Sequence, residues 1–255
     1  MPTPTIVRGS DHFSTVIYEG NGAGQRVGNF IPFTDNGTIG KSLLSNPGDN
    51  PALTYDISGE TATSADKWTL SFWVKRTGTG STQYLAGTSI DGSTETKLGF
   101  DSSDRAYFVN SQGGSVVAQM ISNRTFEDTS KWYHFVWSMD STQGTAANRQ
   151  RLYVDGDEIT SWNTATYRTQ NGDYTWTTGD EQRINWSSGE DLNGYMAEIN
   201  NVDGQQLGPD TFGVTDTSTG RWIPKSLGSI TYGGTGYRLT FANSAGQTIG
   251  DDTSG

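Results

Sequence analysis

The chain contains no cysteine. That excludes disulfides, thiolate metal sites and cysteine nucleophiles, so durability outside a cell has to come from packing or oligomerisation. Histidine is almost as scarce, with His12 and His134 the only two. No G-x-S-x-G elbow is present either, which leaves a nucleophilic triad without its parts. His134 falls in a strand pattern and reads as a satisfied sheet histidine; His12 has no chemistry beside it. No long apolar run exists, so no membrane insertion is expected. The N-terminal MPTPTIVRGS lacks the basic-plus-apolar pattern of a secretion signal, and routing by one is not expected. The glycosylation triplets at Asn36, Asn123 and Asn185 therefore read as chance. Positive charge is also in short supply. With a net charge of −11 the chain would repel a phosphate backbone, which argues against a nucleic-acid partner.

What is abundant points to β-structure. There are 33 glycines, eight tryptophans, eleven tyrosines and ten phenylalanines in 255 residues, and no long stretch keeps a helical period. Such a chain is large enough to bury a sizeable core. In Trp68–Lys75, Trp68, Leu70, Phe72 and Val74 alternate with Thr69, Ser71, Trp73 and Lys75. In Lys131–Met139, Tyr133, Phe135, Trp137 and Met139 alternate with Trp132, His134 and Val136. Period-two alternation of this kind marks strands packed on at least one face. Asp155-Gly156 supplies the positive φ angles of a tight hairpin after Arg151–Val154. Further strands are expected at Ala52–Ile57, Tyr84–Ile90, Lys97–Phe100, Arg105–Val109, Val116–Ile121, Gln182–Trp186, Tyr195–Val202, Trp222–Pro224 and Tyr237–Phe241. Asn163–Thr178 reads as a long polar loop, and Leu207–Gly213 as a helical turn begun at Pro209. Residues 1–50, glycine-rich and poor in apolar side chains, read as an extended arm for anchoring or oligomerisation; residues 51–255 form the main domain.

The segments WTLSFWVKR, KWYHFVWSMD, RQRLYVDGDEIT and GYMAEINNVDG, in that order, resemble the laminin-G-like, concanavalin-A-type domain. Trp132, His134, Val154-Asp155-Gly156 and Gly194–Glu198 carry the resemblance, over roughly residues 50–213. It implies an all-β jelly-roll sandwich of two antiparallel sheets. A narrower resemblance runs through RGSDHFSTVIYEGNGAGQRVGNFIPFTDN, NRTFEDTSKWYHFVWSMDSTQ and DTFGVTDTSTGRWIPKSLGSITYGGTGYRLTF. These look like virion proteins of marine tailed bacteriophages, described as lectin-like structural, tail-fibre or head-decoration proteins, and relatives continue beyond a segment like Asp251–Gly255. The resemblance implies a virion component that assembles in the host cytoplasm and leaves by lysis. Its partners would be other capsid or tail proteins, further copies of itself and host-surface polysaccharide.

Four chemistries bear on these residues. Concanavalin-A-type folds include glucanases, but hydrolysis needs two carboxylates facing one cleft, and the late strand Met196–Val202 offers Glu198 alone. Gly37-Thr-Ile-Gly-Lys41-Ser42 resembles the end of a phosphate loop, yet Asp35 stands where the first glycine belongs. Laminin-G-like domains often carry calcium, and Asp101 and Asp104 have the spacing best suited to it here. For sugar binding the candidates are Trp162, Tyr167, Tyr174, Trp176 and Trp186, aromatics in a polar stretch that either stack on sugar faces or close the sandwich edge and meet a neighbouring subunit.

Overall fold

The structure is a computed structural model and describes residues 39–47, 52–185, 189–242 and 250–254. His12, Trp186 and nearly all of the expected N-terminal arm lie outside the described residues.

In chain order the strands are β1 (Leu43–Ser45), β2 (Leu53–Asp56), β3 (Lys67–Arg76), β4 (Gln83–Asp91), β5 (Thr94–Phe100), β6 (Arg105–Gln112), β7 (Ser115–Thr125) and β8 (Tyr133–Asp140). They continue with β9 (Gln150–Val154), β10 (Asp157–Glu158), β11 (Trp162–Thr166), β12 (Glu181–Ile184), β13 (Gly194–Asp203), β14 (Gly213–Thr215), β15 (Trp222–Pro224) and β16 (Tyr237–Leu239). A short helix, α1 (Thr175–Thr178), precedes β12. Sheet I runs β1-β13-β3-β8-β9-β10, with β16 also on β13; sheet II runs β11-β7-β6-β5-β4-β12-β2; β14 and β15 form a separate ribbon. All the strand pairings are antiparallel, so this is the jelly-roll sandwich that the laminin-G resemblance implies.

Alternation decides which side chains meet between the sheets. Trp68, Leu70, Phe72 and Val74 of β3 and Tyr133, Phe135, Trp137 and Met139 of β8 point inward from sheet I. Leu98, Phe100, Phe108 and Met120 meet them from sheet II. Phe72 and Phe135 stack at 5.8 Å, and Phe100 meets Phe135 edge-on at 5.6 Å. Aromatic pairs in these geometries add to what area burial already contributes. The Asp155-Gly156 turn forms as its sequence dictates, with φ of 54° and 90° between β9 and β10.

Two expectations are corrected. Asn163–Thr178 is not a plain loop: its start belongs to β11, which pairs with β7 at the edge of sheet II, and its end is α1. The segment from 205 onward is more than a closing set of strands. It folds back over the outer face of sheet I, where Ile223 and Trp222 pack on Trp73, and Phe212, Leu207 and Tyr232 pack against Val136 and Val202.

Candidate functional site

The two sheets differ in what lies on their outer faces. On sheet I the outward residues in the middle of β3 and β8 (Thr69, Ser71 and Trp73; His134, Val136 and Ser138) are themselves buried. Thr69 donates through Oγ1 to the Gln205 carbonyl at 2.7 Å and accepts from the Leu207 N–H at 2.9 Å. The Tyr232 hydroxyl donates to Asn200 Oδ1 at 2.7 Å. His134 lies beneath this cover, 1% exposed, stacked on Trp73 at 4.7 Å and beside Trp222 at 6.0 Å. Burial lowers its pKa to about 3, so the ring is neutral. A general base at this position would have no access to a substrate. The Glu198 carboxylate is held by Arg238 at 2.6 and 2.7 Å, as an ion pair at the β13 irregularity rather than as half of a hydrolytic couple.

Among the described residues, sheet II has no such cover on the corresponding side, where Tyr84, Lys97, Tyr107, Gln119 and Ile121 are partly exposed. Strand register sets its outward residues in rows across the sheet. One row runs Tyr84, Gly99, Tyr107, Ile121, Thr164 through β4, β5, β6, β7 and β11. The next runs Thr54, Arg183, Gly87, Lys97, Val109, Gln119. A third sets Asp56, Glu181, Ser89 and Glu95 side by side.

Tyr84 and Tyr107 are neighbours on this face, with ring centroids 6.0 Å apart and planes inclined at 49°. Both are half-buried rather than sealed. Gly99 lies between them, where no other residue fits, because a Cβ there would come within 2.0 Å of the Gln83 carbonyl oxygen. Lys97 extends over the Tyr84 ring, 5.3 Å from its centroid, and is paired with Glu95 at 2.9 Å. Arg183 is paired in the same way with Glu181, two residues along its own strand. Burial raises the pKa of the Tyr107 hydroxyl, helped by Tyr84, Glu95 and Glu190, while the Gln119 side chain opposes the shift. Tyr84 is raised by burial and by the charges of Glu190 and Glu95. Both hydroxyls therefore stay protonated, as donors. Ring faces beside fixed donors and acceptors are what a sugar needs, since its axial C–H groups are apolar and its hydroxyls are not.

The residues expected to bind sugar fare differently. Tyr174 and Trp176 are wholly buried, which removes them from any surface role. The Tyr174 ring meets Trp68 edge-on at 6.0 Å and its hydroxyl donates to the Arg149 carbonyl at 3.1 Å. Trp176 lies 5.4 Å from Trp68, and its indole N–H donates to Asn201 Oδ1 at 2.9 Å. Asn201 in turn donates to Gln182 Oε1 at 3.0 Å, so this polar chain links the two sheets across the core. Trp162 and Tyr167 are partly buried and pack against the core rather than joining the tyrosine row. Tyr107 does not stand out in the sequence because in β6 both alternating sets, Arg105, Tyr107, Val109 and Ala106, Phe108, Asn110, contain apolar side chains.

The calcium expectation does not fit Asp101 and Asp104. Asp104 Oδ1 is taken by Arg76 at 2.7 Å and by the Gly80 N–H at 2.8 Å. Asp101 holds Arg105 at 2.7 Å and the Ser103 N–H at 2.9 Å. Guanidinium groups occupy the oxygens a cation would need, and no group of three or more acidic or histidine side chains converges among the described residues.

A concavity of about 380 Å³ opens at the sandwich edge between β2 and β16. Leu53, Tyr55, Ile184, Tyr237 and Leu239 wall it, with Asp252 at its rim. Its two tyrosines meet edge-on at 5.8 Å, so they do not line up as a platform.

The sandwich and its sequence define a lectin-type domain. The chain belongs to the concanavalin A-like lectin/glucanases superfamily, whose laminin-G model matches residues 48–205. No curated protein matches the chain. Among solved structures, it is similar to a heptameric SAP-like pentraxin from Limulus polyphemus (16% identity, TM-score 0.41, 62% of this chain and 71% of that one). Domain 4 of the arabinanase AbnA from Geobacillus stearothermophilus, solved with arabinotriose, is similar at 16% identity and TM-score 0.47, over 68% of this chain and 75% of that one. The CBM40 domain of a Ruminococcus gnavus sialidase, solved with a sialyllactose, matches at 12% identity and TM-score 0.45, over 68% and 96%. At such identities the likeness is one of fold.

Proposed function

We propose that this chain is a non-enzymatic structural protein on the surface of a tailed-bacteriophage particle, a head-decoration or fibre subunit. Its sandwich would present the outer face of sheet II to host-surface polysaccharide. Residues 1–50 would be the arm that anchors or oligomerises it. The observation that carries the binding role is the asymmetry of the two faces. Among the described residues, the C-terminal segment covers one sheet and nothing covers the other, where Tyr84 and Tyr107 lie side by side. The virion role rests on the resemblance of three long stretches to phage structural proteins. A lectin-type domain without a spare carboxylate pair at Glu198 is better suited to holding a glycan than to cutting it.

Purified phage particles carrying this chain, labelled with a gold-tagged antibody and imaged, test the virion role. Label over the head supports decoration; label confined to fibres or tail tip assigns the same face to a host-recognition adhesin; particles without label overturn the assignment. Retention of the purified chain on host-surface polysaccharide, lost in a Tyr84→Ala/Tyr107→Ala variant, tests the binding face.

A further inference from the structure

We infer that the glycan held on the outer face of sheet II is neutral, and that it crosses the strands along a curved path rather than as a flat ribbon. The inference rests on the glycan-binding reading above and adds the class of ligand.

Charge argues for neutrality. Each basic side chain on the face already has a carboxylate of its own: Lys97 has Glu95 and Arg183 has Glu181. Asp56 continues that carboxylate row, and Glu190 lies close enough to Tyr84 and Tyr107 to raise both hydroxyl pKa values. A uronate, sulfate or sialic acid would have to share a cation already paired with an internal carboxylate and would face the remaining acids. Like charges brought together at a binding surface act as a barrier to the wrong ligand. A neutral sugar meets no such barrier, and the paired groups still offer it fixed donors and acceptors.

Shape argues for curvature. The two rings that would carry consecutive sugars sit on β4 and β6, with only Gly99 of β5 between them, so the ligand runs across the strands. Their 6.0 Å separation is comparable with the advance per sugar along a polysaccharide, and their planes differ by 49°. In a two-fold ribbon such as a β-1,4-glucan, successive ring faces lie parallel, and both tyrosines would have to turn flat together. In a helical chain such as an α-1,4- or β-1,3-glucan, successive faces are rotated, which matches two inclined platforms.

Calorimetric titration of the intact chain decides the matter, using maltohexaose and laminarihexaose (neutral, curved), cellohexaose (neutral, flat) and a hexagalacturonate (acidic). At least one curved neutral hexamer is expected to bind ten or more times tighter than cellohexaose and the galacturonate, and to lose at least about tenfold, or about 1.4 kcal/mol, in Tyr84→Ala and in Tyr107→Ala. Both variants should melt within a few degrees of the parent chain. A Glu95→Gln/Glu181→Gln variant, which releases the cations, should gain affinity for the galacturonate severalfold; no gain would contradict the charge argument. If cellohexaose or the galacturonate binds best and depends on both tyrosines, the face is a glycan site and this inference is wrong. If no saccharide shows a dependence on either tyrosine, the binding reading itself fails, and the inference with it.

Discussion

The indole N–H of Trp222 donates to Nδ1 of His134 at 3.0 Å, tying the C-terminal cover to the strand beneath it. Because Nδ1 accepts, the ring proton is on Nε2, which donates to the Ser71 hydroxyl at 2.9 Å. The whole arrangement needs a neutral imidazole. An unfolded histidine titrates near ~6.5, whereas the buried ring holds out to about 3. Between those values the unfolded chain takes up a proton that the folded chain refuses. The stabilisation is therefore full above about pH 6.5 and declines on acidification until about pH 3, by at most on the order of 5 kcal/mol. Urea melts across this range should show the decline, and His134→Gln should flatten it. Trp222→Phe, which keeps the ring and loses the bond, should cost about 1 kcal/mol at neutral pH.

Asp191 sets up a slope of the opposite sign. It is 1% exposed, with neither carboxylate oxygen bonded among the described residues, and burial raises its pKa to about 6. Unfolded, it titrates near ~3.9. From about pH 6 down to 4 the folded chain is the one that gains a proton, so this group adds stability as pH falls. Asp191→Asn should abolish that contribution and raise stability at pH 7 by up to about 3 kcal/mol, measured by the same melts. The parent chain should then show a shallower acid slope than the Asp191→Asn variant over that interval.

Arg76 is wholly buried at the end of the core, over the Phe100 ring at 4.3 Å, and donates to the Phe126 carbonyl at 2.9 Å. Asp104 is its counter-charge. Asp104→Ala leaves the guanidinium buried and uncompensated, with an expected loss of about 3–5 kcal/mol in chemical denaturation. A chelator should leave the stability set by this corner unchanged, since a guanidinium and not a metal holds it.

Core and surface aromatics should separate cleanly under mutation. Trp176→Ala removes a packed indole and breaks the link through Asn201 to Gln182, at a cost of about 3–5 kcal/mol. Tyr84→Ala and Tyr107→Ala on the open face should each change stability by no more than about 1 kcal/mol. Retention on polysaccharide should follow the reverse order: lost with the tyrosines, and kept by whatever fraction of Trp176→Ala remains folded.

Much of the sandwich could be read from β3 and β8, where large aromatics alternate with small or polar residues and only one face can be the core. The hairpin at Asp155-Gly156 was equally legible, because few residues accept two successive positive φ angles. The candidate site was harder to read, for a physical reason. The outer face of sheet I is apolar because the chain folds back over it, so Trp73, Val136 and Val202 resemble core, and sequence alone does not reveal the cover. The outer face of sheet II is apolar only at scattered positions, and its tyrosines meet only through strand register between β4 and β6. Tyr174 and Trp176 misled in the other direction. Their neighbours are polar, yet α1 turns both into the core, where each finds the bond its polar atom requires.

Backbone chemical-shift mapping of the isotopically labelled chain, titrated with the hexasaccharide that binds it best, addresses the binding face most directly. The account predicts that the amides of Tyr84, Gly99, Tyr107 and Ile121 shift together and saturably, while those of Leu53, Tyr55 and Tyr237 at the edge cleft stay where they are. Shifts confined to the edge cleft, or to the cover over sheet I, with the tyrosine row silent, would contradict it.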